Sequence, residues 1–328
     1  MEMSENKKLI KIKNINERKG NKMITLTKED KDKIRVFAGT SSEKLAEKIV
    51  KYLDMDLSAA EIVKFADGET FAKSNESVRG CKVFIVQSTS KPVNESLMEL
   101  LVFIDAIKRS SAREIIAVIP YYGYARQDRK AKSRDPITAK LVADLIEAAG
   151  ADRVLTMDLH ANQIQGYFDI PVDHLLGGPI LVDYFAKKQI EDLVVVSPDH
   201  GSVKRVRAVA EKLDIPMAIV DKRRPKANIS EVMNIIGDVK DKNILLIDDM
   251  IDTAGTLVNA AEAIRKMGGK EIYASCTHPV FSGPAIQRLK DSCIKEIVIL
   301  DTIALPKEKE MDKIRVISSA PLFAKAIY

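Results

Sequence analysis

The sequence is poor in the residues that define several classes of protein. Its 328 residues include three cysteines, four histidines and no tryptophan. Cys81, Cys276 and Cys293 have no CxxC spacing, so we expect reduced thiols and neither a disulfide framework nor a zinc site. No run approaches the roughly 18 apolar residues of a membrane-spanning helix, and no signal peptide is evident, so we expect a cytoplasmic protein with no membrane partner.

Positive charge is in excess only at the N-terminus. The formal net charge is +5, yet residues 1–33 hold ten of the 52 basic and six of the 47 acidic residues, which leaves 42 and 41 for the rest. Residues 1–33 also lack aromatic residues and regularly spaced apolar ones, which predicts a flexible basic extension. Because the remaining chain is nearly neutral, we expect no nucleic-acid partner.

From residue 34 onward, short apolar runs alternate with amphipathic segments. The runs are nearly continuous in Val, Ile and Leu, as in strands that are covered on both faces. This alternation predicts an α/β fold of βα units on mainly parallel sheets. The predicted strands begin at Ile34, Lys82, Glu114 and Arg153 in the first half, and at Asp192, Pro216, Asn243, Glu271 and Glu296 in the second.

Two such sets of units predict two similar domains, each a mainly parallel sheet flanked by helices. Gly, Pro and Asp cluster between Gly166 and Pro179, which places the boundary there. We therefore divide the chain into an extension 1–33, an N-terminal domain 34–172, a C-terminal domain 173–313, and a terminal strand and helix 314–328 of either domain.

Two helices carry start signals. Thr40 with Glu43 predicts a capping box, and Asp135 followed by Pro136 predicts an N-cap and a first helical residue. Gly150 is expected to end the second of these helices.

The predicted strand NILLIDD ends in two adjacent carboxylates, Asp248 and Asp249, and MIDTAGT follows. Small residues and hydroxyls that open a helix form a cradle for phosphate, because backbone N–H groups can approach the anion there. Carboxylates beside a phosphate site suit sugar hydroxyls or a metal ion. The alternative is an ordinary βα turn with a solvated acidic pair, but DDMIDTAGT is similar to the phosphoribosyl-pyrophosphate signature of type I phosphoribosyltransferases and their relatives.

Another predicted strand end places Asp158 and His160 two residues apart, on one face of an extended chain. A carboxylate and an imidazole together suit a divalent metal that carries phosphate oxygens. A histidine within the core is the alternative, and Asp173 and Asp199, each beside a histidine at a loop edge, make it less favourable.

Basic residues follow two further strands. Lys222, Arg223 and Arg224 come directly after one strand, where cations can stabilise charge on a transferred phosphoryl group. A loop after the strand at Glu114 suits a polyphosphate partner, although an exposed basic loop is the alternative. Its cations are Arg126, Arg129, Lys130, Lys132 and Arg134.

Taken in order, these segments resemble the ribose-phosphate pyrophosphokinase family. The resemblance runs from about Val36 to near the C-terminus, which makes it far more specific than any single motif. The segments are FADGE (65–69), YYGYARQDRK (121–130), DLHANQIQGYFDIP (158–171), SPDHG (197–201), DKRRP (221–225), DDMIDTAGT (248–256) and CTHPVFSGPA (276–285).

The resemblance implies two domains of the type I phosphoribosyltransferase kind. It also implies transfer of the β,γ-diphosphoryl group of ATP to the 1-hydroxyl of ribose 5-phosphate, with release of AMP, for nucleotide biosynthesis. It implies Mg²⁺ as cofactor and a homo-oligomer built from dimers, usually a hexamer, in which the FADGE segment reaches the ATP site of an adjacent subunit.

The resemblance also implies roles for individual residues. ATP would be bound by Phe65, Asp67, Gly68, Glu69, Arg126 and Gln127. The metal would be held by His160 and Asp199, with Asp158, Asp169 and Asp173 as additional or outer ligands. Ribose 5-phosphate would be bound by Arg224, Asp248, Asp252, Thr253, Ala254, Gly255 and Thr256, and Lys222 and Arg224 would form the catalytic pair.

This chain differs from the family pattern at two places. Many relatives read SPDxGG where Ser202 follows Gly201 here, and the chain ends at Tyr328, before the longer tail of many bacterial relatives. The second difference leaves their phosphate activation and ADP inhibition open for this protein. Three other functions remain as alternatives: a phosphoribosyltransferase, a regulatory paralogue without activity, and, least favoured, a nucleic-acid-binding module.

Overall fold

The structure, a computed structural model, describes residues 27–223 and 232–328. It has an α/β architecture in which most strands are parallel. The strands are β1 (Ile34–Ala38), β2 (Ala60–Lys64), β3 (Thr70–Ser74), β4 (Lys82–Val86), β5 (Glu114–Ile119), β6 (Arg153–Met157), β7 (Val172–Leu175), β8 (Leu193–Ser197), β9 (Met217–Arg223), β10 (Val232–Ile236), β11 (Asn243–Ile251), β12 (Ile272–Pro279), β13 (Ile294–Leu300) and β14 (Ile314–Ile317).

The helices lie mainly between successive strands, as βα units require. They are α1 (Lys28–Lys33), α2 (Glu43–Tyr52), α3 (Val93–Arg109), α4 (Thr138–Ala149), α5 (Gly178–Lys188), α6 (Val203–Leu213), α7 (Gly255–Lys266), α8 (Ala285–Asp291) and α9 (Ala320–Ile327), with short 3-10 helices at Asn162–Tyr167 and Lys307–Lys309. Within the described ranges, no helix is long and apolar enough to cross a membrane.

The strands form two large sheets and a hairpin. The first sheet has the order β1-β4-β5-β6-β7 and is parallel throughout. The second has the order β10-β9-β8-β11-β12-β13-β14, in which only the β9–β10 pair is antiparallel. Strands β2 and β3 form a separate antiparallel hairpin. The predicted mainly parallel α/β fold is therefore present.

The two halves share one core. Alternate strand residues point to opposite faces, so Val36 of β1 joins the shared core while Phe37 packs on the outer side with α3. The shared core takes Val36 and Leu155 from the first sheet and Leu245 from the second, and Phe323 of α9 packs among them. The inner faces of the two sheets are therefore buried in a single apolar cluster.

The division of the chain into domains stays a prediction. Its boundary at 172/173 falls inside β7, which pairs with β6 and completes the first sheet. In the terminal segment, β14 belongs to the second sheet, whereas α9 contacts α2 in the first half. Helix α1 lies within the predicted extension, where Thr27 and Asp30 form a capping box.

Both predicted helix starts were wrong, and both for the same reason. Thr40 is not a cap: its backbone N–H and hydroxyl donate to the Glu99 carboxylate, each at 2.7 Å. Asp135 accepts from the backbone N–H of Lys132 instead, and α4 begins at Thr138 with no side-chain cap. Each side chain bonds a partner other than the first N–H groups of its helix: Glu99 lies 59 positions from Thr40, whereas Lys132 is three residues before Asp135. Gly150, with φ +117°, does end α4 as predicted.

Candidate active site

A cleft of about 960 Å³ opens where the carboxyl ends of the two sheets meet. This is the edge at which open parallel sheets bind ligands. Its walls come from the turns after β5 and β6 on one side and after β8 and β11 on the other. Among the predicted site residues, the lining includes Arg126, Asp158, His160, Asp199, Asp248, Asp252, Thr253, Ala254, Gly255 and Thr256.

Two adjacent carboxylates form the floor of the second-sheet side. Asp248 is largely desolvated and lies beside Asp249, and both effects raise the pKa of its carboxyl well above its ordinary value. Burial alone would raise the pKa of Asp249 as well, but the hydrogen bond from His160 and the charge of Arg205 hold it below its ordinary value. The pair therefore holds one firmly ionised and one easily protonated carboxyl.

His160 completes this arrangement from the first sheet. Its Nδ1 lies 2.7 Å from Oδ2 of Asp249, and this hydrogen bond raises the pKa of His160 in spite of partial burial. An ionised carboxylate can only accept, so Nδ1 carries a proton. A histidine that donates Nδ1–H to a carboxylate is oriented to present Nε2 to a metal ion.

The turn after β11 carries the predicted phosphate cradle. Asp252 places Oδ2 2.5 Å from Nη1 of Arg126, across the cleft, and no hydrogen bond from the described residues reaches its buried Oδ1. Ala254 follows with φ +61°, a left-handed conformation that non-glycine residues seldom adopt. Such a conformation persists only where the surrounding structure holds it in place, and it occurs most often at functional sites. Helix α7 then begins at Gly255.

A second hydrogen-bonded group lies behind the cleft, and we call Ser88, Asp158, Thr277, His278 and Thr302 the buried polar seam. Ser88 Oγ donates to the Thr302 carbonyl at 2.6 Å, and Thr277 Oγ1 donates to Oδ2 of Asp158. His278 is 2% exposed; its Nε2 donates to the Asp158 carbonyl at 3.1 Å and its Nδ1 lies 2.9 Å from Thr302 Oγ1. These bonds join the carboxyl ends of both sheets.

The buried polar seam holds Asp158, whereas His160 lies in the cleft, so the two side chains have different partners. Strand β6 ends at Met157, and Asp158 has φ +39°, so the strand alternation that would put both side chains on one face does not hold. The Asp158 carboxylate accepts from Thr277 and from the backbone N–H of Gly177 at 3.1 Å, while His160 contacts Asp249. The next residue, Leu159, donates its N–H to Nε2 of His174 at 2.9 Å, which fixes the backbone before His160.

The other predicted metal residues are dispersed. Asp199 borders the cleft, and its Oδ1 accepts from the Ser202 N–H at 3.1 Å. Asp173 pairs with Arg153 at 3.0 Å in the body of the first sheet, and Asp169 is exposed after the 3-10 helix. Neither Asp169 nor Asp173 lines the cleft.

The residues present fit Mg²⁺ as an ion held mainly through its substrate. In residues 27–223 and 232–328, no three His, Cys, Asp or Glu side chains are grouped to hold a metal by themselves. Mg²⁺ in enzymes that use phosphates is commonly bound by one or two carboxylates plus substrate oxygens. The oriented His160, the carboxylate of Asp199 and the carboxylate of Asp252 supply donors of that kind.

The predicted ATP residues divide into two places. Arg126 faces the cleft, whereas Gln127 accepts a hydrogen bond from Thr138 and does not line it. Asp67, Gly68 and Glu69 form the exposed turn of the β2–β3 hairpin. Phe65 is 52% exposed at this turn and packs against Phe71, with ring centroids 6.0 Å apart, so the turn does not belong to the cleft of its own chain.

The predicted catalytic pair is only partly described. Lys222 lies in β9, in register with Met233 of β10. Arg224 lies outside the described residues.

Sequence reasoning missed two residues that the fold brings to this site, Arg205 and Asp128, and it gave Asp249 no role as the partner of His160. Asp249 holds His160, Arg205 places Nη1 3.7 Å from Asp249, and Asp128 accepts from Gln163 at 2.9 Å on the opposite wall. Asp249 could have been assigned from the acidic pair in the sequence. Arg205 and Asp128 carried no signal, because one lies on an amphipathic helix and the other within a basic run.

Carboxylates and cations face each other at the carboxyl ends of the two sheets, which is the arrangement expected of an enzyme that acts on phosphorylated substrates. Two family models match the chain: the N-terminal domain of ribose phosphate pyrophosphokinase over residues 34–150, and the phosphoribosyl synthetase-associated domain over residues 224–328.

Individual proteins give the same result. The ribose-phosphate pyrophosphokinase of Caldanaerobacter subterraneus subsp. tengcongensis is 67% identical over 295 residues, which cover 90% of this chain and 93% of that protein. That of Clostridium perfringens is 64% identical over 297 residues, with the same shares of 90% and 93%. The crystal structure of phosphoribosylpyrophosphate synthetase from Mycobacterium smegmatis superposes with a TM-score of 0.86 at 43% identity, covering 90% of this chain and 97% of that one.

The chain belongs to the ribose-phosphate pyrophosphokinase family. The predicted family, the mainly parallel α/β fold and the enzyme class, ribose-phosphate diphosphokinase, are thereby confirmed.

Proposed function

We propose that this cleft transfers the β,γ-diphosphoryl group of ATP to the 1-hydroxyl of ribose 5-phosphate, giving 5-phosphoribosyl 1-diphosphate and AMP. The observation that carries the proposal is the opposition of Arg126, from the first sheet, to Asp252 and the strained turn of the second. One wall suits a polyphosphate and the other suits a sugar phosphate. Because only the Arg126–Asp252 ion pair separates the two walls, ATP and ribose 5-phosphate would lie within reach of each other.

The ribose side follows from the β11 turn. A phosphate at residues 253–256 would meet the N-terminal end of α7, where backbone N–H groups and the helix dipole favour an anion. Oδ2 of Asp252, once Arg126 turns to the phosphates, would accept from a sugar hydroxyl, and Asp248 offers a second carboxyl beside it. These contacts would hold the sugar with its anomeric hydroxyl toward Arg126.

The ATP side combines residues of two chains. Arg126 would leave Asp252 for the phosphates, and the exposed hairpin turn with Phe65, Asp67 and Glu69 would bind ATP in the cleft of an adjacent subunit. The protein would therefore act as a homo-oligomer, built from dimers and expected to be a hexamer. A turn that lies outside its own cleft and exposes a phenyl ring supports this arrangement.

In-line attack of the sugar hydroxyl on the β-phosphorus builds charge on the nonbridging and leaving oxygens. Lys222 and Arg224 would stabilise this charge, and Asp249 would keep the His160 ring oriented. His160 and Asp199 would hold Mg²⁺, which would neutralise part of the same charge. Asp158, which accepts from Thr277 and Gly177, would act by holding the His160 turn.

The test uses purified protein with Mg²⁺, ribose 5-phosphate and ATP labelled in the γ-phosphate. We expect unlabelled AMP and label in the pyrophosphorylated sugar in equal amounts. ADP instead of AMP would indicate transfer of one phosphoryl group and would contradict the proposal. An absence of nucleotide turnover, with inorganic phosphate present, would favour a regulatory paralogue.

A further inference from the structure

Ser202 is the residue at which this chain departs from the SPDxGG pattern, and none of the roles above uses it. It is 4% exposed and precedes α6 at the N-cap position, at the edge of the cleft. Its side chain does not cap the helix, so the hydroxyl is free for another partner. That partner is the carboxylate of Asp248, whose Oδ1 accepts from Ser202 Oγ at 2.6 Å.

Ser202 connects two parts of the site. Its backbone N–H donates to Oδ1 of Asp199 at 3.1 Å, so one residue contacts a proposed metal carboxylate and a proposed ribose carboxylate. Asp249 continues the path, because its N–H donates to Asp248 Oδ1 at 2.9 Å and its own carboxylate holds His160. The hydroxyl of Ser202 is the link between the Asp199 turn and the acidic pair.

The geometry at Asp248 shows what the hydroxyl does. Within residues 27–223 and 232–328 two groups donate to this carboxylate, Ser202 Oγ and the Asp249 N–H, and both bonds end on Oδ1. Two donors on one oxygen fix the rotation of the carboxylate plane about the Cβ–Cγ bond, and they leave Oδ2 to a ligand. The Asp249 N–H comes from the next residue in the chain and is present whatever the side chain at 202. Among the described residues, only the serine hydroxyl ties the Asp248 carboxylate to a different element of the fold.

We propose that Ser202 is a positioning residue for ribose 5-phosphate, whose hydroxyl fixes the Asp248 carboxylate against the turn that carries Asp199. The inference rests on the proposed function only in taking Asp248 as a ribose contact. A glycine at this position keeps the backbone donor to Asp199 and loses the bond to Asp248. The effect of the side chain is therefore confined to the sugar side of the reaction.

The test compares Ser202→Ala and Ser202→Gly with the wild-type enzyme in steady-state kinetics. We expect both variants to raise the KM for ribose 5-phosphate about five- to tenfold, while the KM for ATP and kcat stay within about twofold. Ser275→Ala is the matched control, because Ser275 is also buried but its hydroxyl makes no hydrogen bond to any part of the chain that the structure describes. We expect its kinetics to equal those of the wild type.

Calorimetric binding of ribose 5-phosphate separates this inference from the proposed function. Wild-type protein that binds the sugar phosphate but forms no AMP would refute the proposed reaction alone. Equal affinity of wild type and Ser202→Ala for ribose 5-phosphate would overturn the inference alone. Equal losses for ATP and ribose 5-phosphate would also overturn it, because the hydroxyl would then act through general stability. Ser202→Gly guards against misfolding, since the family pattern places glycine at this position.

Discussion

The turn after β11 and the turn of the β2–β3 hairpin differ in how many of their side-chain contacts come from the rest of the same chain. In the first, Asp248 and Asp249 are hydrogen-bonded to Ser202 and His160 before any ligand arrives. In the second, the bonds are local ones within the turn, such as Gly68 N–H to the Phe65 carbonyl at 2.9 Å. The first turn is organised for a ligand by its own chain, whereas the second requires another surface to become a site.

The largest effect is expected at the organised turn. Asp252→Asn puts an amide beside Arg126 and removes the charged carboxylate that would accept a hydrogen bond from a sugar hydroxyl. We expect kcat/KM for ribose 5-phosphate to fall about 100-fold or more. Kinetics at saturating ATP measure this change. Asp241→Asn, at an exposed acid away from the cleft, is the control and should behave as wild type. A loss below about threefold would show that Asp252 does not contact the sugar.

The hairpin turn should give a smaller effect with a different signature. Phe65→Ala is expected to raise the KM for ATP about tenfold, because an aromatic side chain that stacks on a base contributes about 1–3 kcal/mol. The KM for ribose 5-phosphate and the melting temperature should not change, since the ring is 52% exposed.

A mixing experiment shows whose cleft the hairpin serves. Co-expressed Phe65→Ala and Asp252→Asn chains should be more active than the sum of the two separate proteins. Some sites in the mixed oligomer would combine an intact cleft from one chain with an intact hairpin from the other. Activity equal to the simple sum would place the hairpin in its own chain's cleft, or in none.

The acidic pair makes the organised turn sensitive to pH. Burial and the charge of Asp249 raise the pKa of Asp248 in the folded state. The unfolded chain, in which the pKa is about 3.9, therefore loses this proton more easily than the folded protein does. The folded state is destabilised as pH rises from about 3.9 through the folded pKa. Asp248→Asn should therefore stabilise the ligand-free protein at pH 8 by about 1 kcal/mol, or about 2–4 °C in Tm.

Scanning calorimetry from pH 8 down to pH 5 tests the sign. The difference in Tm between Asp248→Asn and the wild type should shrink as pH falls, because Asp248 of the folded wild type is then protonated and, like asparagine, uncharged. Asp312→Asn, at an exposed acid, should show no such trend. A gain that does not depend on pH would mean that the stabilisation has another origin.

The smallest effect is expected from removing residues 1–26. Both turns remain, and so does Thr27, whose capping box with Asp30 starts α1. Turnover should stay within about twofold of the full-length protein in the AMP assay. A tenfold loss would assign the basic extension a part in the reaction.

Sequence patterns predicted the sheets well where strands are buried on both faces. The ten strand segments read from the sequence, including the terminal one, correspond to ten strands of the two large sheets. The hairpin strands β2 and β3 were missed because their residues are mostly exposed or half-exposed, so their apolar runs are short. The short edge strand β7 was missed for a related reason, since its sequence VDHL has only two apolar residues. Strand β10, VMNII, is mostly apolar and was overlooked.

The site was predicted by residue type more reliably than by geometry. The turn after β11 follows from its sequence, because a strand, an acidic pair and a run of small residues are contiguous. The partnership of His160 with Asp249 spans 89 positions and depends on how two sheets meet. The left-handed backbone at Asp158 likewise follows from its bonds to Gly177 and Thr277, which no local pattern contains.

The buried polar seam limits how the molecule can move and how it unfolds. Rotation of one sheet away from the other would break the bonds from Ser88 to the Thr302 carbonyl and from Thr277 and His278 to Asp158, at about 1–3 kcal/mol for each group left unpaired. It would also open the shared apolar core. Hinge opening between the halves is therefore unfavourable, and substrates must enter past the loops at the rim of the cleft. On heating, the two halves of each chain should melt together as one cooperative unit, although each has a sheet of its own.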